Sequence, residues 1–164
     1  MTGDFIILLE RLVKAGVDFV IVGGFAGTVY GCTLVTQDVD ICLDFSPANL
    51  LALQRAICDL HPIHRMTPGR KKLELTEKNC GSFKNLYLDT DIGRLDCLGH
   101  IEGIGDYQKV KERSVMIETD GVRLQVLNLD ALIESKKAMN RPRDRQAIAE
   151  LEAIKKLRKS KDFK

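Results

Sequence analysis

Long apolar runs are missing from the chain. None approaches the roughly 18 residues of a membrane-spanning helix, so no membrane partner is expected. The opening MTGDFIILLERLVKAG lacks a basic leader and a small-residue cleavage site. Its mixed charges suit an amphipathic helix better than a signal sequence, and a cytoplasmic protein is the expectation. No CxxC spacing occurs either. The five cysteines, Cys32, Cys42, Cys58, Cys80 and Cys97, are odd in number, which argues against a disulfide framework and a zinc site and for reduced thiols. An excess of one charge sign is also lacking. The net charge is +2, so there is no global polybasic signature, although RPRDR and KKLRKSKDFK load the C-terminal end. No internal repeat is visible, and GGFAGTVYG does not match the GxGxxG of a dinucleotide-binding fold.

What is present reads as an ordinary globular protein: 164 residues, 45% hydrophobic and 29% charged. A single domain over residues 1–164 is expected, with a core over about 1–127 and closing helices over about 128–160. Phe5, Leu8, Leu9, Leu12 and Val13 recur at helical spacing and Gly16 stops them. VDFVIVGG is a β-branched run closed by two glycines, a buried strand. FAGTVYG predicts a short helix and DVDICLDF a second strand. SPANLLALQRAICDL predicts a helix with Ser46 as N-cap and Pro47 at its first position. PIHRMTPGRKK is loop-like; KLELT, KNLYLDT and GRLDCLGH predict further strands, and DYQKVKERS a short helix. VMIET and VRLQVL, joined by Asp120-Gly121, predict a hairpin. NLDALIESKKAMN and PRDRQAIAELEAIKKLRK close the chain as two helices, the second opened by Pro142. The fold class is α/β (α+β), a mixed sheet with flanking helices.

One pattern carries chemistry. Side chains alternate along a strand, so Asp38, Asp40 and Cys42 share one face of DVDICL while Val39, Ile41 and Leu43 share the other. Two neighbouring carboxylates repel unless a cation lies between them. Such a pair suits Mg²⁺, which takes one or two carboxylates and keeps positions for water and phosphate. Upstream, Gly23-Gly24 joins a strand to a short helix, where glycines let backbone N–H groups approach an anion.

Gly23, Gly24, Ala26, Gly31, Thr36, Asp38 and Asp40 together resemble the signature of the nucleotidyltransferase superfamily of polymerase-beta-like fold. The small stand-alone bacterial members, including the abortive-infection type toxin nucleotidyltransferases, are the most similar. The resemblance extends over about 17–155, with its strong motifs at 23–40 and 126–146. It implies a third carboxylate in GRLDCLGHI, which nominates Asp96, with Asp89 or Asp91 as alternatives if the register slips by a residue. It further implies two Mg²⁺ ions on Asp38, Asp40 and Asp96, and a nucleoside triphosphate held by Gly23, Gly24, Phe25, Thr36 and Lys136, with Lys137 as the alternative lysine. The acceptor hydroxyl could belong to a protein, an RNA end or a small molecule, and a partner protein or a second copy could complete the site.

The chain departs from the pattern at two positions. Small members usually carry an arginine three residues after the motif glycine and a histidine just before it, where this chain has Leu34 and Tyr30. A guanidinium can clasp a phosphate with two hydrogen bonds; leucine cannot. An alternative is therefore a catalytically reduced binding or regulatory module, such as a toxin–antitoxin component. A third reading makes the basic C-terminal helix, with Lys155, Lys156, Arg158 and Lys159, a nucleic-acid contact.

Overall fold

The computed structural model describes residues 2–162. Helix α1 (Thr2–Lys14) is followed by strand β1 (Phe19–Val22), helix α2 (Gly23–Tyr30), strand β2 (Asp38–Leu43) and helix α3 (Pro47–Ile57). After a long loop containing the two-residue strand β3 (Ile63–His64) come β4 (Asn85–Thr90) and β5 (Gly93–Leu98). The short pair β6 (His100–Ile101) and β7 (Gly105–Asp106) leads into α4 (Tyr107–Glu112). The hairpin β8 (Ser114–Thr119) and β9 (Val122–Leu127) precedes α5 (Leu129–Met139) and α6 (Asp144–Asp162).

Local chemistry accounts for most boundaries. In α1, Phe5, Leu8, Leu9 and Leu12 are buried, whereas Val13, at the rim of the apolar stripe, is 41% exposed. Ser46 caps α3 by accepting from the Asn49 N–H, with Pro47 behind it. Asp120 and Gly121 both have positive φ, 50° and 77°, as a tight hairpin turn requires. Asn128 caps α5 through the Ala131 N–H, and Asn140 ends it in the left-handed conformation. Several predicted boundaries differ, and the loop-like PIHRMTPGRKK includes the short strand β3. The segment KLELT forms only an isolated bridge from Lys72 to Ile63. There the chain is tied by side chains instead: Gln54 of α3 accepts from the Leu75 N–H at 2.5 Å and donates to the Leu75 carbonyl. Helix α6 begins at Asp144, with Pro142 in the preceding turn.

The seven-stranded mixed sheet has the order β3-β4-β5-β2-β1-β9-β8. Strand β2 runs antiparallel to β1 and parallel to β5, and β1 runs parallel to β9. On one sheet face Val39, Ile41, Leu86, Leu88, Leu95 and Cys97 are almost wholly buried, continuous with Leu8, Leu9 and Leu12 of α1 and Leu50, Leu53 and Ile57 of α3. Helices α5 and α6 pack on each other and against α2. The opposite face of β2, β5 and β4 carries the charged side chains.

Candidate active site

The register places the acidic side chains. Because β2 and β5 are parallel partners with Asp40 opposite Asp96 and Asp38 opposite Arg94, all four side chains rise from the same face. Asp89 of β4 pairs with Arg94 and shares that face, one strand further out. Asp91 lies in the β4–β5 turn, where its carboxylate meets His61 Nδ1 at 2.6 Å in the open. Asp96 is thus the acid beside Asp40, and Asp91 stands apart.

The same logic explains the glycines. Antiparallel pairing sets Val22 opposite Asp40, so the chain leaving β1 turns directly over the Asp40 side chain. Gly23 makes that turn with φ +68°, and a Cβ on it would lie 2.3 Å from Asp40 Oδ2. A Cβ on Gly24 would come within 3.0 Å of Thr36 Oγ1, which itself donates to the Asp38 carbonyl at 2.8 Å. Both glycines are needed for close approach, and they belong to the first turn of α2 itself. Phe25 faces inward, 2% exposed and edge-on to Phe5, so only its backbone can serve the site.

A cleft of about 400 Å³ brings these parts together. Gly24, Thr36, Asp38 and Asp40 line one side, and Lys136, Arg141, Arg143 and Asp144 from the α5–α6 junction line the other. Lys136 is only 5% exposed, and its ammonium lies 3.7 Å from Asp144 Oδ1. Arg141 grips the same carboxylate with two hydrogen bonds of 2.6 and 3.1 Å. Arg143 has no ion-pair partner among the described residues. Lys137 points elsewhere, to Glu152 at 2.6 Å. Leu34 also lines the cleft, at 38% exposure, and Val35 beside it is 81% exposed. Tyr30, at the other departure, is structural: its hydroxyl donates to the Leu127 carbonyl at 2.9 Å, under the Arg158 guanidinium.

Electrostatically the acid pair is unsettled. Burial, then the charges of Asp96 and Asp38, push the Asp40 carboxyl up to about 7, against the pull of Lys136 and Arg141. Asp38 Oδ1, Asp89 Oδ1 and Asp96 Oδ1 are buried without a hydrogen-bond donor. Each has a cation nearby: Asp38 only distantly, with Arg94 at 3.9 Å; Asp89 with Arg94 at 3.4 Å and with Arg70; Asp96 with Arg65 at 2.8 Å. The last contact is close but off-line for a hydrogen bond. Among the described residues no three His, Cys, Asp or Glu side chains converge on a common metal position. The neighbouring pair Asp38 and Asp40 nevertheless suits an ion that completes its shell with water and phosphate oxygens.

Arg65, Arg70 and Arg94 were not singled out from the sequence. Arg94 was readable, standing two residues before Asp96 on the same strand; Arg65 and Arg70 come from a loop whose return path no local pattern reveals. The histidines do other work: His64 stacks on Phe83 and His61 meets Asp91. In the basic tail, Lys155 pairs with Asp130 at 2.6 Å and Arg158 lies over Tyr30, while residues 163 and 164 lie outside the described residues. No described helix is long and apolar enough to cross a membrane.

No protein-family model and no protein of curated function matches the chain. Solved structures do. The crystal structure of a candidate nucleotidyltransferase from Thermotoga maritima superposes with a TM-score of 0.54 at 18% identity, covering 96% of this chain and 89% of that one. The solution structure of the antibiotic-resistance factor ANT(2'')-Ia, a nucleotidyltransferase, superposes with a TM-score of 0.56 at 14% identity, covering 98% of this chain and 94% of its own. The chain has the nucleotidyltransferase fold.

Proposed function

We propose that the protein is a Mg²⁺-dependent nucleotidyltransferase, moving a nucleoside monophosphate from a nucleoside triphosphate to a hydroxyl and releasing pyrophosphate. The observation that carries this reading is one cleft with a carboxylate pair on one wall and, on the other, three cations, Lys136, Arg141 and Arg143, against the single carboxylate of Asp144. Asp38 and Asp40 would hold Mg²⁺; the buried Asp38 Oδ1 that lacks a hydrogen-bond donor and the destabilised Asp40 carboxylate support that role. When bound, the ion supplies charge neutralisation at the phosphate undergoing transfer. The chain's own residues do the rest. Backbone N–H groups at Gly24 and Phe25, at the start of α2, donate to the outer phosphates; Thr36 braces the backbone of Asp38 beneath them. Lys136 and Arg143 offset the triphosphate charge, while Arg141 and Asp144 hold the α5–α6 turn that presents them. The acceptor approaches along the sheet face that bears Asp96 and Arg94.

A second reading is a non-catalytic binding or regulatory module of the same fold, favoured by Leu34 and Val35 forming an apolar lip where a phosphate-gripping arginine would help. One experiment separates the two. Thermal unfolding is followed with Mg²⁺ and each of the four nucleoside triphosphates, for the wild type and for Asp38→Asn/Asp40→Asn. A ligand at about 100 times its Kd adds roughly 2.7 kcal/mol. The expected result is Mg²⁺-dependent stabilisation by at least one nucleotide, lost in the double variant. No stabilisation by any of the four would sink the transferase reading and leave the module.

A further inference from the structure

Asp96 has a built-in cation. We propose that Arg65 takes the place of a second metal ion at the third carboxylate, so that the site binds one divalent cation, on Asp38 and Asp40, and not two. This rests on the nucleotidyltransferase reading and sharpens it.

The contact is built into the fold. Arg65 Nη1 lies 2.8 Å from Asp96 Oδ1, with the side chains only 15% and 12% exposed. The arginine is held from several sides. Its backbone N–H donates to the Tyr87 carbonyl at 2.8 Å, continuing the β3–β4 pairing into the loop. Its guanidinium reaches the Leu88 carbonyl at 3.4 Å and lies 5.9 Å from the Tyr87 ring centre. Tyr87 is the register partner of Asp96, so the strand that carries the ring also positions the guanidinium over the acid. A long side chain fixed at this many points has little rotamer freedom left to lose in the ion pair.

The consequences for a metal are direct. A divalent ion ligated by Asp96 Oδ1 would be forced against a guanidinium that stays charged at any relevant pH. Asp38 differs: its nearest guanidinium, Arg94, stands at 3.9 Å and is half exposed. That leaves the Asp38–Asp40 side open to a cation and the Asp96 side occupied by one. That no three acids converge among the described residues agrees with this division. Arg65 is therefore a positioning residue: it fixes the Asp96 carboxylate and supplies a permanent positive charge where a second ion would otherwise sit.

Counting bound Mn²⁺ by electron paramagnetic resonance, with metal alone and no nucleotide, tests the assignment. The wild type is expected to saturate at one ion per chain. Asp96→Asn is expected to keep that one ion, because Asp96 is not a ligand, and Arg65→Ala to gain a second. A wild type that takes two ions, with one lost in Asp96→Asn, overturns the inference while leaving the transferase reading intact. An Arg65→Ala chain that is folded by circular dichroism yet stays at one ion also overturns it. If Arg65→Ala does not fold, the Asp96→Asn count decides alone. A wild type that binds no Mn²⁺, indistinguishable from Asp38→Asn, overturns the metal-site reading beneath both.

Discussion

At the scale of single residues, the site is a set of close approaches that tolerate no substitution. Gly23 shows why. Its φ of +68° is open to glycine at no cost, and the missing Cβ leaves the room that Asp40 Oδ2 occupies. Gly23→Ala is expected to lose ~1–2 kcal/mol from the backbone conformation alone, and more from the 2.3 Å contact. Urea unfolding measures the first effect; loss of Mg²⁺-nucleotide stabilisation measures the displacement of Asp40. Gly121→Ala, also at positive φ but with open space around it, is the control: it should lose stability without losing nucleotide binding. Both glycines read as turns in the sequence, but only the structure shows that the Asp40 carboxylate fills the space a Cβ on Gly23 would need.

At the scale of elements, the α5–α6 junction turns a helix–turn–helix into a charged wall. Asp144 is nearly buried and receives both Arg141 and Lys136. Burial opposes its charge, but the Arg141 hydrogen bond and the charges of Arg141 and Lys136 outweigh it, so the carboxyl titrates below its usual range. The unfolded value is near 3.9, so the stabilisation is fully present above that pH and is lost as pH falls through the lower folded value. Asp144→Asn strands a buried ammonium and should cost about 3–5 kcal/mol at pH 7. Measured by urea midpoints, the gap between wild type and variant should narrow steadily below about pH 4. A gap that does not change with pH would mean that Asp144 acts through shape and not charge.

At the scale of the whole molecule, one hydrophobic cluster runs from Phe5 to Leu151 and holds the sheet that carries the acids. Leu9→Ala, at a fully buried position, should cost about 2–5 kcal/mol, whereas Leu157→Ala, 63% exposed on α6, should stay within about 0.5 kcal/mol. Denaturant titrations compare them directly. Both sites lie outside the cleft, so nucleotide stabilisation should persist in each variant below its melting temperature.

Much of this architecture was legible in the chain because local physics wrote it. Ser46-Pro47 and Asp120-Gly121 each announce a cap or a turn, since the chemistry that ends a helix or reverses a strand lies within a few residues. Alternation in DVDICL put Asp38 and Asp40 on one face, since the strand period is a backbone property. KLELT misled for the complementary reason: its apolar alternation is satisfied by Gln54 and by burial of Leu73 and Leu75, and its pairing with β3 stops at a single bridge from Lys72 to Ile63. What only the tertiary structure decided is which charges meet. Asp96 beside Asp40, Arg65 upon Asp96, and Lys136 facing the acids across the cleft all join segments far apart in sequence. A carboxylate's partner depends on distance in space, and Coulomb interactions in a half-buried site are set by the fold that brings the charges there.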